Sequence, residues 1–136
     1  MKSQAARNRT IPPQSARATP EAGAINFESL GGGVIWERLT AQPDDAVEFL
    51  HVVYRPGAES CPPDQLFRHG GKEYAYVQSG RLGLQIGFEN YELEAGDSAS
   101  FSAQMPHRLW AVGSEPAVAI WVAINRTDDR RIAGER

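Results

Sequence analysis

From Val34 onward, short runs of β-branched and aromatic residues alternate with turn residues. Residues 47–55 (VEFLHVVYR) form the clearest apolar run, and Pro56-Gly57 ends it. The same reading predicts strands over 34–40, 73–79, 82–88, 91–93, 98–102, 107–112 and 117–124. Between them lie Ala41–Asp45, Gly80-Arg81, Glu89-Asn90, Glu94–Asp97, Met105-Pro106 and Gly113–Pro116, all rich in turn formers. No window of helix length carries a 3.6-residue apolar repeat. A series of short strands with frequent turns predicts an all-β sandwich or barrel.

Length and composition narrow the picture. A chain of 136 residues holds one core. Residues 1–24 are rich in Gln, Ser, Ala, Arg, Thr and Pro, too polar to offset their ordering entropy, and read as a flexible leader or linker. Residues 25–126 read as the barrel and 127–136 as a charged C-terminal tail. A formal charge of −3 provides no field to draw nucleic acid, and no segment resembles a helix-turn-helix reader. No apolar run reaches the roughly 20 residues that span a bilayer. The basic N-terminus has no apolar stretch behind it, so a cytoplasmic protein is expected. Cys61, the single cysteine, excludes an internal disulfide.

Strand alternation then gathers three ionisable residues. Glu73 shares a strand face with Ala75 and Val77, and His107 shares one with Leu109 and Ala111. If both faces point inward, Glu73 and His107 meet at the rim of one apolar interior. His69 stands four residues before Glu73, in a segment that Gly70 and Gly71 make permissive. Tyr74 and Tyr76 fall on the opposite face, an outer packing or subunit surface. Asp97, in a turn, is expected to accept from backbone amides.

The spacing of these residues resembles the cupin superfamily. The first cupin motif is G-x5-H-x-H-x3/4-E-x6-G, and His69-x3-Glu73-x6-Gly80 matches its later part. The second is G-x5-P-x-G-x2-H-x3-N, and Gly96 and His107 stand at its separation. More narrowly, Arg55–Ser60, His69–Glu73 and Pro106–Arg108 resemble the effector-binding cupin half of bacterial helix-turn-helix regulators. The resemblance implies a jelly-roll barrel (a double-stranded β-helix) with a metal site at His69, Glu73 and His107. The departures are also specific. Phe67 takes the slot of the first metal-binding histidine, the loop after Gly57 is four residues longer than the motif, and Ser102, Gln104 and Ala111 replace Pro, Gly and Asn.

Two imidazoles and one carboxylate can hold a divalent ion (Fe, Mn, Zn or Ni) with positions left open. The alternative is a metal-free pocket in which Glu73 pairs with a histidine. Phe67, Arg68, Ala75 and Leu109 are the expected ligand-contacting residues, and His51 and Gln65 are remoter metal-ligand candidates. Trp36, Trp110 and Trp121 fit core or interface better than a ligand lining, and Arg108 is expected at solvent or an interface. The functional expectation is a small-molecule-binding cupin domain, a sensor or binding module. Its rival is a metal-dependent oxygenase, isomerase or lyase acting on a small polar or carboxylate substrate, with Glu73 as a candidate general base. A homodimer is expected because exposed sheet edges need covering.

Overall fold

A computed structural model describes residues 26–28 and 33–126, so the leader and the C-terminal tail lie outside the described residues. Among the described residues there are nine strands: β1 (Asn26–Glu28), β2 (Val34–Arg38), β3 (Val47–Tyr54), β4 (Lys72–Ser79), β5 (Arg81–Ile86), β6 (Glu89–Glu94), β7 (Ser98–Ser102), β8 (His107–Ala111) and β9 (Ala117–Ile124). All eight predicted strands form, and β1 is added to them.

The strands make two antiparallel sheets, ordered β1-β2-β3-β9-β4-β7 and β6-β5-β8. Period-2 alternation decides what each strand buries. On β4, Glu73, Ala75 and Val77 are buried while Tyr74, Tyr76 and Gln78 are exposed. On β9 the buried set is Ala117, Ala119, Trp121 and Ala123. The large sheet thus presents mainly small side chains inward. Leu82, Leu84 and Leu109 of the small sheet fill the space opposite, within one apolar core. Burying each leucine contributes about 2–3 kcal/mol.

One turn differs from the sequence reading. The strand predicted to run to Phe88 stops at Ile86, and the reversal is Gly87-Phe88, between the paired residues Ile86 and Glu89. Gly87 takes φ +60°, which a two-residue hairpin needs, and Phe88 stands fully exposed at the tip. Its aromatic character had suggested a strand residue, but turn geometry prevails.

The long loop after Gly57 is anchored to the free edge of β8. Ala111 N donates to Ala58 O, Ser60 N to Leu109 O, and Phe67 and His107 exchange both backbone bonds at 3.0 and 2.8 Å. This covers Arg108, correcting its expected exposure. Its guanidinium pairs with Glu59, donates through Nε to Cys61 O and lies 4.5 Å from the Trp110 ring centroid. Cys61, within the same loop, is itself buried.

Candidate metal centre

The site lies between the two sheets, where β4 and β8 begin. Glu73 is the second residue of β4, opposite Phe101 on β7 and Ala123 on β9. His107 opens β8 and reaches the same space from the facing sheet, beside Ile86. His69 comes from the loop before β4. Its amide donates to Ala103 O, and Ala103 N returns a bond to Gly71 O, so this loop is laced to the turn before β8. Gly71 adopts φ +95°, and a Cβ there would lie 2.3 Å from Ile124 O. Only glycine lets the chain pass that close to the end of β9.

His69, Glu73 and His107 are all buried, at 4%, 5% and 3% exposure, and one donor atom from each lies within 4.8 Å of the others. Nε2 of His69 is 2.7 Å from Glu73 Oε2, and Nε2 of His107 is 3.7 Å from the same oxygen. Both imidazoles are fixed from behind, with Nδ1 of His69 2.9 Å from Gly70 O and Nδ1 of His107 2.9 Å from Met105 O. A carbonyl can only accept, so each Nδ1 carries the proton. The rings meet edge to face at 5.2 Å, and the Phe101 ring stands 5.0 Å from that of His107.

Protonation follows from these partners. Burial favours neutral His69, but hydrogen bonds to the Glu73 carboxylate and the Gly70 carbonyl outweigh it and raise its pKa above 6.5. With acceptors at both nitrogens, the protonated form of metal-free His69 is favoured. Burial likewise raises Glu73, but the His69 bond first, then the neighbouring His107 and a bond from Trp121, hold its carboxyl below the ordinary range. For His107 burial prevails over its carbonyl bond and the Glu73 charge, so it stays neutral.

The donor set fits a divalent ion. Loss of one proton from His69 leaves two neutral Nε2 lone pairs and a carboxylate converging from three segments. The backbone carbonyls behind the imidazoles are the outer-shell partners that orient metal-bound histidines. Ligand atoms on one ion lie roughly 3–4 Å apart at bond lengths of about 2.0–2.2 Å, so modest rotations would close this set onto an ion.

The other predicted site residues sort by alternation. Phe67 pairs directly with His107, which sets both side chains on the same side of the ladder and makes Phe67 a half-buried apolar wall. Ala75 and Leu109, one inward position deeper than Glu73 and His107, belong to the core and form the floor. Arg68 is exposed between inward-facing neighbours. Gln65 is exposed in the loop. His51 is on the face opposite Val52 and Tyr54, with Nδ1 3.2 Å from Glu37 Oε1, and is no fourth ligand. Asp97 accepts from Glu94 N at 2.8 Å, as expected of a turn aspartate.

Sequence reasoning missed one support of the carboxylate. Trp121 Nε1 donates to Glu73 Oε1 at 2.8 Å. Register explains this, because Trp121 pairs with Ala75 and so sits diagonally from Glu73 across β4 and β9. With Oε1 on Trp121 and Oε2 on His69, Glu73 has the partners of a fixed ligand rather than of a mobile base. Tyr54 was missed too; burial first, then the Glu73 charge, keeps its phenol protonated.

Comparisons with known proteins agree with this architecture. The family model described as "Cupin domain" matches residues 50–123, more than half of the chain. No curated protein matches significantly. An RmlC-like cupin from Shewanella frigidimarina NCIMB 400 superposes with a TM-score of 0.66 at 18% identity, over 84% of this chain and 94% of that one. The Fe(II) form of HppE gives 0.67 at 18% identity over 85% of this chain, which spans 63% of it. The Cupin_2 domain of an XRE family transcriptional regulator from Enterobacter cloacae gives 0.57 at 22% identity, over 68% and 96%. At these identities the structures speak to the fold. The family match, over more than half of its length, places this chain in the cupin family.

Proposed function

We propose that this chain is a small-molecule-binding cupin module that holds a divalent metal through His69 Nε2, Glu73 and His107 Nε2. One observation carries the reading: both imidazoles are locked through Nδ1 to backbone carbonyls, which aims both Nε2 atoms at one buried carboxylate. A bound ion would act as a Lewis acid for an oxygen of the ligand. The residues of the chain do the rest. Phe67 and Phe101 keep water from one side, Trp121 fixes Glu73, and the Gly70 and Met105 carbonyls fix the rings.

Metal-dependent catalysis (by an oxygenase, isomerase or lyase) is the second reading. It is supported by the same donor set, because three ligands leave coordination positions for a reactant. General-base catalysis by Glu73 gains no support, since both its oxygens are engaged and its basicity is lowered. The reading extends to a homodimer, supported by the exposed aromatic side chains of Phe49, Tyr74 and Tyr76 on the outer face of the large sheet. Sedimentation tests that point.

Metal analysis of the purified protein, with His69→Ala and His107→Ala, tests the central reading. One equivalent of metal in the wild type, lost in both variants, is expected. Absence of metal, with no uptake of added Fe(II), Mn(II), Zn(II) or Ni(II), would remove it. If metal binds, turnover of small hydroxy or keto carboxylates separates enzyme from binding module.

A further inference from the structure

Just past β9, Arg126 takes a place that the strand pattern alone does not account for. Glu48, Ala123 and Glu73 are register partners across β3, β9 and β4, so Glu48 marks the site's level two strands from Glu73. Strand spacing sets those two positions roughly 10 Å apart. Plain continuation of β9 beyond Ala123 would turn Arg126 to the outer face with Ile124. Instead Asn125 takes φ +54°, the left-handed conformation that Asn tolerates better than most residues, and alternation breaks there. Arg126 Nη1 then lies 3.6 Å from Glu48 Oε1, and the arginine is only partly exposed.

Two further contacts hold this corner. Asn125 N donates to Ala46 O at 2.7 Å. The backbone of residues 124–125 also passes directly against Gly71, two residues from His69. Electrostatics agree with the geometry, because the Arg126 charge disfavours protonation of both His69 and His107. Arg38 donates to the Thr40 and Ala41 carbonyls, Lys72 stands 5.9 Å from the Tyr74 ring centroid on the outer face, and Arg68 is exposed to solvent.

We propose that Arg126 is the carboxylate anchor of this pocket, receiving the anionic end of a small ligand whose other polar end reaches His69, Glu73 and His107. A guanidinium presents paired donors that match a carboxylate, and the spacing of roughly 10 Å between the Glu48 and Glu73 strand positions sets the scale of a molecule a few carbons long. Glu48 is the resident counter-ion, which the ligand's carboxylate displaces. This assignment deepens the binding reading above and rests on it for the location of the pocket, but it does not require a metal.

The test is a titration of the full chain with propionate and with its neutral isostere propionamide, followed by NMR. The signals read are the side-chain Nε–H of arginine and the backbone amides of residues 69–73. Metal-free and Zn(II)-loaded protein are titrated in parallel. Propionate is expected to shift the Arg126 Nε–H signal and the site amides with one midpoint. Arg126→Ala should raise that midpoint at least tenfold, Arg126→Lys should recover part of the loss, and Glu48→Gln should lower the midpoint severalfold. Propionamide should bind equally to all four proteins.

Equal propionate binding by wild type and Arg126→Ala, or no propionate response at the site, overturns the assignment. Arg126-dependent binding in a protein that takes up no metal would support the anchor while removing the metal reading. Metal binding with Arg126-independent propionate shifts would do the reverse. Folding of the variants is checked by their amide spectra, and Glu48→Gln tests the same contact from its other side.

Discussion

Replacing Trp121 with Phe asks whether Glu73 is held in place by the bond from the neighbouring strand. Trp121 and Glu73 are 7% and 5% exposed, and the Nε1 to Oε1 distance is 2.8 Å. An indole N–H only donates, so Phe removes the donor and leaves a buried carboxylate oxygen without it. A hydrogen bond to a charged acceptor contributes about 1.5–3 kcal/mol. The smaller ring also leaves a void, so the bond is isolated by a double-mutant cycle with Glu73→Ala. In urea unfolding of metal-free protein at pH 7, the expected coupling energy is about 1.5–3 kcal/mol.

The sign with pH is fixed. The Glu73 carboxyl is held below its ordinary value of 4.5, so its contribution is full above that pH and lost as pH falls through the lower folded value. The part of the Trp121→Phe effect that comes from the bond should therefore shrink on acidification. Outer-shell changes of this kind typically weaken metal binding 10- to 100-fold, which a Zn(II) competition titration reads. A coupling energy below about 0.5 kcal/mol, together with unchanged Zn(II) affinity, would refute the reasoning.

The two site histidines should contribute opposite slopes of stability with pH in metal-free protein. His69, with its pKa raised, stabilises fully below 6.5 and loses that contribution as pH rises through its folded value, so His69→Gln removes a fall on the alkaline side. His107, with its pKa lowered, costs stability as pH drops below 6.5, so His107→Gln removes a fall on the acid side; urea midpoints at pH 5.5 and 8 check both. Gly71→Ala meets Ile124 O at 2.3 Å in a positive-φ position, and should cost more than about 1 kcal/mol in thermal unfolding and weaken Zn(II) binding by shifting His69. Phe67→His puts an imidazole on the side of the ladder that His107 uses, and should raise Zn(II) affinity at least tenfold, about 1.4 kcal/mol.

By itself the sequence determined the strands, most turns, the inward faces of β4 and β8, and hence the candidate trio of His69, Glu73 and His107. These features are local, because period-2 alternation and turn chemistry act within a few residues and survive any strand order. The spacing of His69, Glu73 and Gly80, and of Gly96 and His107, carried the family as well. Only the tertiary structure decided what depends on register and on chain crossings. Trp121 is 48 residues from Glu73 and becomes its donor only through the pairing of β4 with β9. Arg108 reads as a surface cation until the loop from Ala58 to Phe67 is laid along β8. Plain continuation of β9 would turn Arg126 to the outer face, but the left-handed turn at Asn125 brings it to Glu48. In each case the deciding partner is distant along the chain, and local propensity contains no information about which distant strand will lie alongside.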